Sequence, residues 1–178
     1  MIALALAGCT GGPGGDSGAA TGPTARTEAE LVDMHAWSRG DPAVWPEPMA
    51  DHFPSDGDCP EGGAYTEGAS FEIRTGTCTH GWFQQPSLVD LVPGDVVEVV
   101  FWHGTLVADP PAQGHLAILV GDDLLYDKVV EIPGDPNAYT EQVDVDFAAD
   151  AGVPVTLHLH NHGANDWNVL RVERQASE

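Results

Sequence analysis

From Cys59 onward the chain consists of short runs rich in β-forming residues, separated by turn residues. Two runs, 70–74 and 142–147, alternate polar and apolar residues, which places the apolar side chains of each run on one buried face. Turn sequences such as Pro93-Gly94-Asp95 separate the runs, and no segment of helical period competes with them. We expect further strands at 80–85, 95–103, 114–120, 124–131, 154–161 and 167–173.

About eight short strands without intervening helices favour an all-β fold, either an antiparallel sandwich or a barrel. We expect a jelly-roll-like β-sandwich domain over residues 59–174. An immunoglobulin-like sandwich is the second choice. The separation of Cys59 and Cys78 is too short for the bridge that joins the two sheets of that fold.

The charge of the chain limits its partners. It contains 28 Asp and Glu against 6 Lys and Arg, which gives a net charge of -22. Such a field repels phosphate backbones and anionic lipid headgroups, so the composition disfavours nucleic-acid binding and electrostatic docking to membranes. Neutral ligands, cationic partners and metal ions remain.

The first residues form an apolar run that ends in small residues before a cysteine, Leu6-Ala7-Gly8-Cys9. This run resembles the lipobox of bacterial lipoproteins. The resemblance implies that residues 1–8 are part of a signal peptide and that Cys9 carries the lipid. Only eight residues precede Cys9 and none is basic, whereas a signal peptide runs to about 15 to 30 residues. The resemblance also implies, from Thr10 in the position after the lipidated cysteine, sorting to the outer membrane. We therefore expect an envelope or exported protein whose only membrane contact is the lipid.

Two segments lie between the lipobox and the predicted domain. Residues 9–30 are rich in Gly, Pro, Ser, Thr and Ala and predict a flexible linker. Residues 31–58 contain apolar side chains but also four prolines that break helix and strand. We expect either an irregular arm held against the domain by Trp37 and Trp45, or a disordered segment.

Two cysteines remain once Cys9 is assigned to the lipid. Cys59 and Cys78 form an even pair in a chain that the lipobox marks for export, and oxidising compartments favour disulfides. We therefore expect a Cys59–Cys78 disulfide.

Histidines are concentrated in the stretch 156–168. In a strand, His158 and His160 project from one face while Leu157 and Leu159 enter the core. Histidines at this spacing supply metal ligands on strands of cupins and carbonic anhydrases, and the stretch resembles those proteins in this respect only. A zinc or copper site would need further ligands, for which the candidates are His103, His115 and His162. The alternatives are solvated histidines or a site for an organic ligand.

A tryptophan provides a second candidate site. In the strand at 95–103, burial of Val97, Val99 and Phe101 sends Trp102 to the opposite face. An exposed tryptophan on a sandwich is a platform for a sugar ring, which Trp82, Trp167 and Asn165 would supplement. The alternative is a Trp102 that is covered or packed in the core.

Acidic turn residues are a third candidate. Carboxylates and backbone carbonyls bind calcium, and the turn residues that are expected to offer such a structural site are Asp122, Asp123, Asp135 and Asn137.

Motifs for catalysis are absent from the sequence, including Gly-x-Ser-x-Gly and His-Glu-x-x-His. This favours binding over turnover. The runs 78–89, 94–103 and 160–168 resemble uncharacterised lipoproteins of Gram-negative bacteria, a resemblance that implies no activity. We expect a lipid-anchored sandwich that binds a neutral ligand such as a carbohydrate, or an envelope protein. The alternatives are a metal-binding protein or metalloenzyme at His158 and His160, and a structural surface lipoprotein without a small ligand.

Overall fold

The computed structural model describes residues 25–41 and 59–177, and within these ranges the chain forms strands and no helix. A helix suited to crossing a bilayer is therefore absent from both ranges. The strands are β1 Ala29–Glu30, β2 Ser38–Arg39, β3 Ala64–Glu67, β4 Ser70–Arg74, β5 His80–Pro86, β6 Val96–His103, β7 Ala112–Val120, β8 Asp123–Ile132, β9 Asn137–Asp144, β10 Pro154–Asn161 and β11 Asp166–Arg174.

These strands form two antiparallel sheets. The front sheet has the order β2-β5-β10-β7-β8, and the back sheet has the order β3-β4-β11-β6-β9 with β1 beside β11. From β4 to β11 the chain changes sheet at every connection except the β7–β8 hairpin. Repeated crossing of this kind is typical of a jelly roll, and the predicted all-β sandwich is confirmed.

The core lies between the two sheets and follows the period of two in each strand. Leu157 and Leu159 of β10 face it from the front sheet, while Val97, Val99 and Phe101 of β6 face it from the back sheet, and all five are fully buried. The predicted facing of both strands is confirmed.

Strand β9 begins earlier than the alternation at 142–147 suggests, because an inward-facing carboxylate interrupts the apolar pattern, and it ends at Asp144, before the predicted end. Glu141 lies opposite Val99 and so faces the core side of the sheet. It accepts hydrogen bonds from Tyr126 at 2.9 Å and from Lys128 at 2.7 Å, both on the front sheet. The bond from Lys128 lowers the pKa of Glu141, and burial raises the pKa of Tyr126. This polar group joins the two sheets.

Residues 25–30, expected to belong to the linker, lie along the back sheet. Ala29 and Glu30 pair with the end of β11, and the backbone of Arg26 pairs with that of Ser177. Arg26 also forms ion pairs with Asp90 at 2.8 Å and Asp95 at 3.3 Å. The lipobox, Cys9 and the rest of the expected linker are outside the described residues.

The first part of the expected arm packs on the domain. Leu31, Val32 and Met34 are buried in the core, and the Trp37 ring lies 5.9 Å from the Phe71 ring. Trp37 thus has the anchoring position expected for it, whereas Trp45 is outside the described residues.

The disulfide is present as expected. Cys59 and Cys78 are bonded and buried, and the bond connects the chain just before β3 to the chain just before β5. By the chain-entropy estimate, a closed loop of this length contributes about 3 kcal/mol to stability.

Candidate functional site

The outer face of the front sheet carries a cluster of histidines on its three central strands. His160 of β10 pairs in register with His80 of β5 on one side and with His115 of β7 on the other. His158 lies two residues before His160 on β10 and projects from the same face. We call the surface formed by His80, His115, His158 and His160 the histidine face.

The facing of these side chains follows from the apolar residues between them. Leu157 and Leu159 turn into the core, so the alternate residues of β10 point outward. On β7, Ala117 and Leu119 form a small buried apolar cluster separate from the main core, as expected for residues on the opposite face.

The imidazole rings of the histidine face are packed against one another. The centroid of the His80 ring lies 4.7 Å from that of His158 and 5.5 Å from that of His160. The ring of His158 lies 5.6 Å from that of His115. His162, just beyond the end of β10, extends the cluster with its ring 4.8 Å from that of His160.

Burial varies across this face. His158 is 0% exposed, and His80 and His115 are nearly buried, whereas His160 is half-buried and His162 is exposed. Gly40 packs on the neighbouring Trp82, where a Cβ would lie 1.5 Å from the indole nitrogen. Solvent is therefore excluded from the His158 side chain, whereas the side chains of His160 and His162 are accessible.

An open cleft of about 560 Å³ lies beside His160 and His162. Its lining combines hydrogen-bonding and apolar side chains, and Gln113 donates a hydrogen bond of 2.6 Å to Glu131 within it. On the neighbouring strand, Asp127 forms a hydrogen bond with Nε2 of His115. The principal lining residues are Gln113, His115, Val129, Glu131, His160 and His162.

A buried polar network holds the loop that carries His162. Asn161 is fully buried and accepts a hydrogen bond from Nε1 of Trp167 at 3.0 Å while donating one to Oγ1 of Thr75 at 2.9 Å. The Asn165 amide oxygen accepts a hydrogen bond from the Val107 backbone at 2.6 Å. These bonds fix the chain on both sides of His162.

Among the predicted metal ligands, the structure brings His115, His158, His160 and His162 to this site and places His103 elsewhere. His103 belongs to the back sheet and is 1% exposed. Its Nδ1 bonds the carbonyl of Gly104 at 2.8 Å and its Nε2 lies 3.3 Å from the Tyr139 hydroxyl. His103 is thus held inside the sandwich.

Sequence reasoning missed His80, although it begins a predicted strand. The alternation His80, Trp82, Gln84 places His80 on the same face as Trp82. What the sequence does not provide is the pairing of β5 with β10, which brings His80 beside His160.

Of the four residues suggested for ligand binding, Trp82 is buried on the front sheet, and the other three are in different environments. Trp102 is 39% exposed on the outer face of the back sheet. Trp167 is fully buried, with its ring stacked 6.2 Å from that of Phe101, and Asn165 is buried in the loop network. Only Trp102 of the three offers an exposed ring.

The four turn residues suggested for calcium lie at opposite ends of strand β8. Asp122 and Asp123 are at its start, and Asp135 and Asn137 follow its end. At about 3.3 Å per residue, a strand of ten residues separates the two pairs by roughly 30 Å. The structure does not bring the four together around one ion.

The donor atoms do not converge on a metal in the side-chain conformations present. Across residues 25–41 and 59–177, no group of three or more His, Cys, Asp or Glu has its donors arranged around one point. The histidine face is a cluster of adjacent rings, not a preformed coordination sphere.

Comparisons with known proteins find similarity of fold. No family model and no curated protein matches the chain. A family 4 carbohydrate-binding module is 13% identical over 82% of this chain and 97% of its own, with a TM-score of 0.46. An arabinose-bound α-L-arabinofuranosidase is 10% identical over 82% of this chain and 26% of its own, with a TM-score of 0.46. A family 16 carbohydrate-binding module is 13% identical over 65% and 81%, with a TM-score of 0.36.

Proposed function

We propose that this protein is a binding module for a neutral carbohydrate, which it holds in the cleft beside the histidine face. The proposal rests on the kinds of side chain that line the cleft. Its lining combines one amide, three imidazoles and one carboxylate with three apolar side chains, and the cleft has the size of a small-ligand site.

The lining suits a ligand that has hydroxyl groups and C–H faces. A neutral imidazole offers one donor and one acceptor, and the Gln113 amide offers both, so these groups match hydroxyls that donate and accept. Val129 is 50% exposed and provides apolar contact area. The net charge of -22 works against anionic ligands.

Binding to neutral soluble polysaccharides, measured by affinity gel electrophoresis and calorimetry, tests the proposal. We expect His162→Ala and Gln113→Ala to weaken binding by about tenfold each, the effect of about 1.4 kcal/mol. Trp102→Ala, on the back sheet, is the matched surface control and should leave binding unchanged. Loss of binding in the Trp102 variant alone would move the site to the other sheet, and absence of binding to every polysaccharide would refute the proposal.

We also propose that the chain is exported and attached to the cell envelope through Cys9. The lipobox residues support this proposal, and a disulfide is typical of exported proteins. Incorporation of labelled palmitate into the chain tests it. Labelling should disappear in Cys9→Ser and persist in Cys59→Ser, and equal labelling of the two variants would contradict it.

A further inference from the structure

We propose that the histidine face binds one transition-metal ion of the zinc or copper class, with His80, His158 and His160 as ligands. The first support is topological. Strands β5 and β10 are adjacent, and their register sets His80 directly opposite His160. Two strands therefore bring three imidazoles to one patch of one face.

The second support is the spacing of the rings. A zinc–nitrogen bond is about 2.1 Å long, so three imidazoles around one tetrahedral ion have ring centres about 5 Å apart. In the structure the His80 ring is 4.7 Å from the His158 ring and 5.5 Å from the His160 ring. The His80 ring therefore already has, from each of the other two rings, the separation that a shared ion requires.

What binding requires is a change of ring orientation. The donor nitrogens do not point at one centre in the present conformations. The outer side-chain torsion of histidine is broad, so a ring reorients at lower cost than a strand shifts. Because the backbone positions are adjacent, metal binding needs torsional changes in these side chains and no change of register.

The neighbouring residues support a metal ligand set. Asp127 bonds Nε2 of His115, and His115 packs on His158 at 5.6 Å. A carboxylate that holds a histidine ring fixes its tautomer and orientation, as outer-shell partners do at metal sites. His115 is thereby positioned as a fourth imidazole beside the three ligands.

The donor chemistry selects the class of metal. Imidazole nitrogens favour zinc, copper and nickel, whereas calcium and magnesium prefer oxygen. Cys59 and Cys78 are bonded to each other and offer no thiolate. The net charge of -22 raises the local concentration of any cation near the face.

Titration calorimetry of the full chain, without a histidine tag, tests the inference with zinc chloride and copper chloride. We expect one equivalent to bind at near-neutral pH and physiological ionic strength, with no comparable site for calcium. His80→Gln, His158→Gln and His160→Gln should each weaken binding by about tenfold or more. His35→Gln is the matched control, since the His35 side chain is 64% exposed and paired with Asp33, and its binding should equal that of the native chain.

A second measurement needs no variant, which matters because His158 is fully buried and its substitution can unfold the domain. Electron paramagnetic resonance of the native chain with one equivalent of copper should show coupling to several imidazole nitrogens. Oxygen-only ligation, absence of binding, or unchanged affinity in folded variants of all three histidines would overturn the inference. Metal binding is measured in the absence of polysaccharide, and polysaccharide binding is measured in the presence of a chelator. The failure of one proposal is therefore distinguishable from the failure of the other.

Discussion

Replacement of Asn161 by alanine should destabilise the domain by about 3 kcal/mol. The side chain is fully buried and accepts the Trp167 indole hydrogen at 3.0 Å. It donates to Thr75 at 2.9 Å and to the His162 carbonyl at 3.0 Å. An orphaned buried donor costs about 1 to 3 kcal/mol, and each lost neutral hydrogen bond about 0.5 to 1.5 kcal/mol. One orphaned donor and two further lost bonds together give about 2 to 6 kcal/mol, and the predicted loss lies in the lower half of this range.

Urea unfolding followed by tryptophan fluorescence measures this effect. With a slope of about 2 kcal/mol/M, a loss of 3 kcal/mol moves the midpoint by about 1.5 M. Gln113→Ala is the control, because its side chain is exposed and its loss should change stability by less than about 0.5 kcal/mol.

A double-mutant cycle identifies the cause of the loss. Trp167→Phe removes the indole donor, so Asn161→Ala should cost about 1 to 2 kcal/mol less in that background. A cost below about 1 kcal/mol for Asn161→Ala, or an equal cost in both backgrounds, would refute the assignment of Asn161 as the acceptor that holds Trp167.

Three further predictions concern the loop, the disulfide and the group between the sheets. Gly163→Ala should lower the free energy of unfolding by about 2 kcal/mol or more and weaken polysaccharide binding. The reason is that φ at this position is +91° and a Cβ would collide with the Val107 carbonyl oxygen. Urea unfolding and the polysaccharide-binding assay measure the two effects. Cys78→Ser should lower the free energy of unfolding by about 3 kcal/mol in urea, whereas a reducing agent should have no further effect on the variant. The pKa of Glu141 is lowered mainly by its hydrogen bond from Lys128, so its contribution to stability is present above about pH 4.5 and lost as the pH falls below it. Glu141→Gln should therefore reduce the acid-side fall in the urea midpoint, and an unchanged pH profile would contradict this.

The alternation of residues was sufficient to predict most of the sandwich. It located the strands that carry the core, since Leu157, Leu159 and Phe101 are buried at a period of two. It failed at β9, where the inward Glu141 breaks the apolar pattern and is satisfied by partners on the other sheet. It also missed β1, β2 and β3, because strands of two to four residues are too short to show a period.

The candidate site was predictable only in part, because strand pairing is not contained in local sequence. The spacing of His158 and His160 was enough to place both on one outer face. His80 joins them through pairing of β5 with β10, and His103 is excluded because β6 belongs to the other sheet. Both facts depend on contacts between residues far apart in the chain. Trp167 and Asn165 are buried by the same long-range packing.

The attachment of Arg26 beside the end of β11 has a mechanical consequence. A pull on the chain ahead of Arg26 would first load its ion pairs with Asp90 and Asp95 and its backbone pairing with Ser177. The pairing with Ser177 lies outside the core strands, and the Arg26–Asp90 pair, whose carboxylate is 55% exposed, resists with about 0 to 1 kcal/mol. The Asp95 carboxylate is buried. Under tension this segment would detach before either sheet opens and lengthen the connection by about 3.3 Å for each residue released. Release of this segment would relieve the tension while the histidine face keeps its structure.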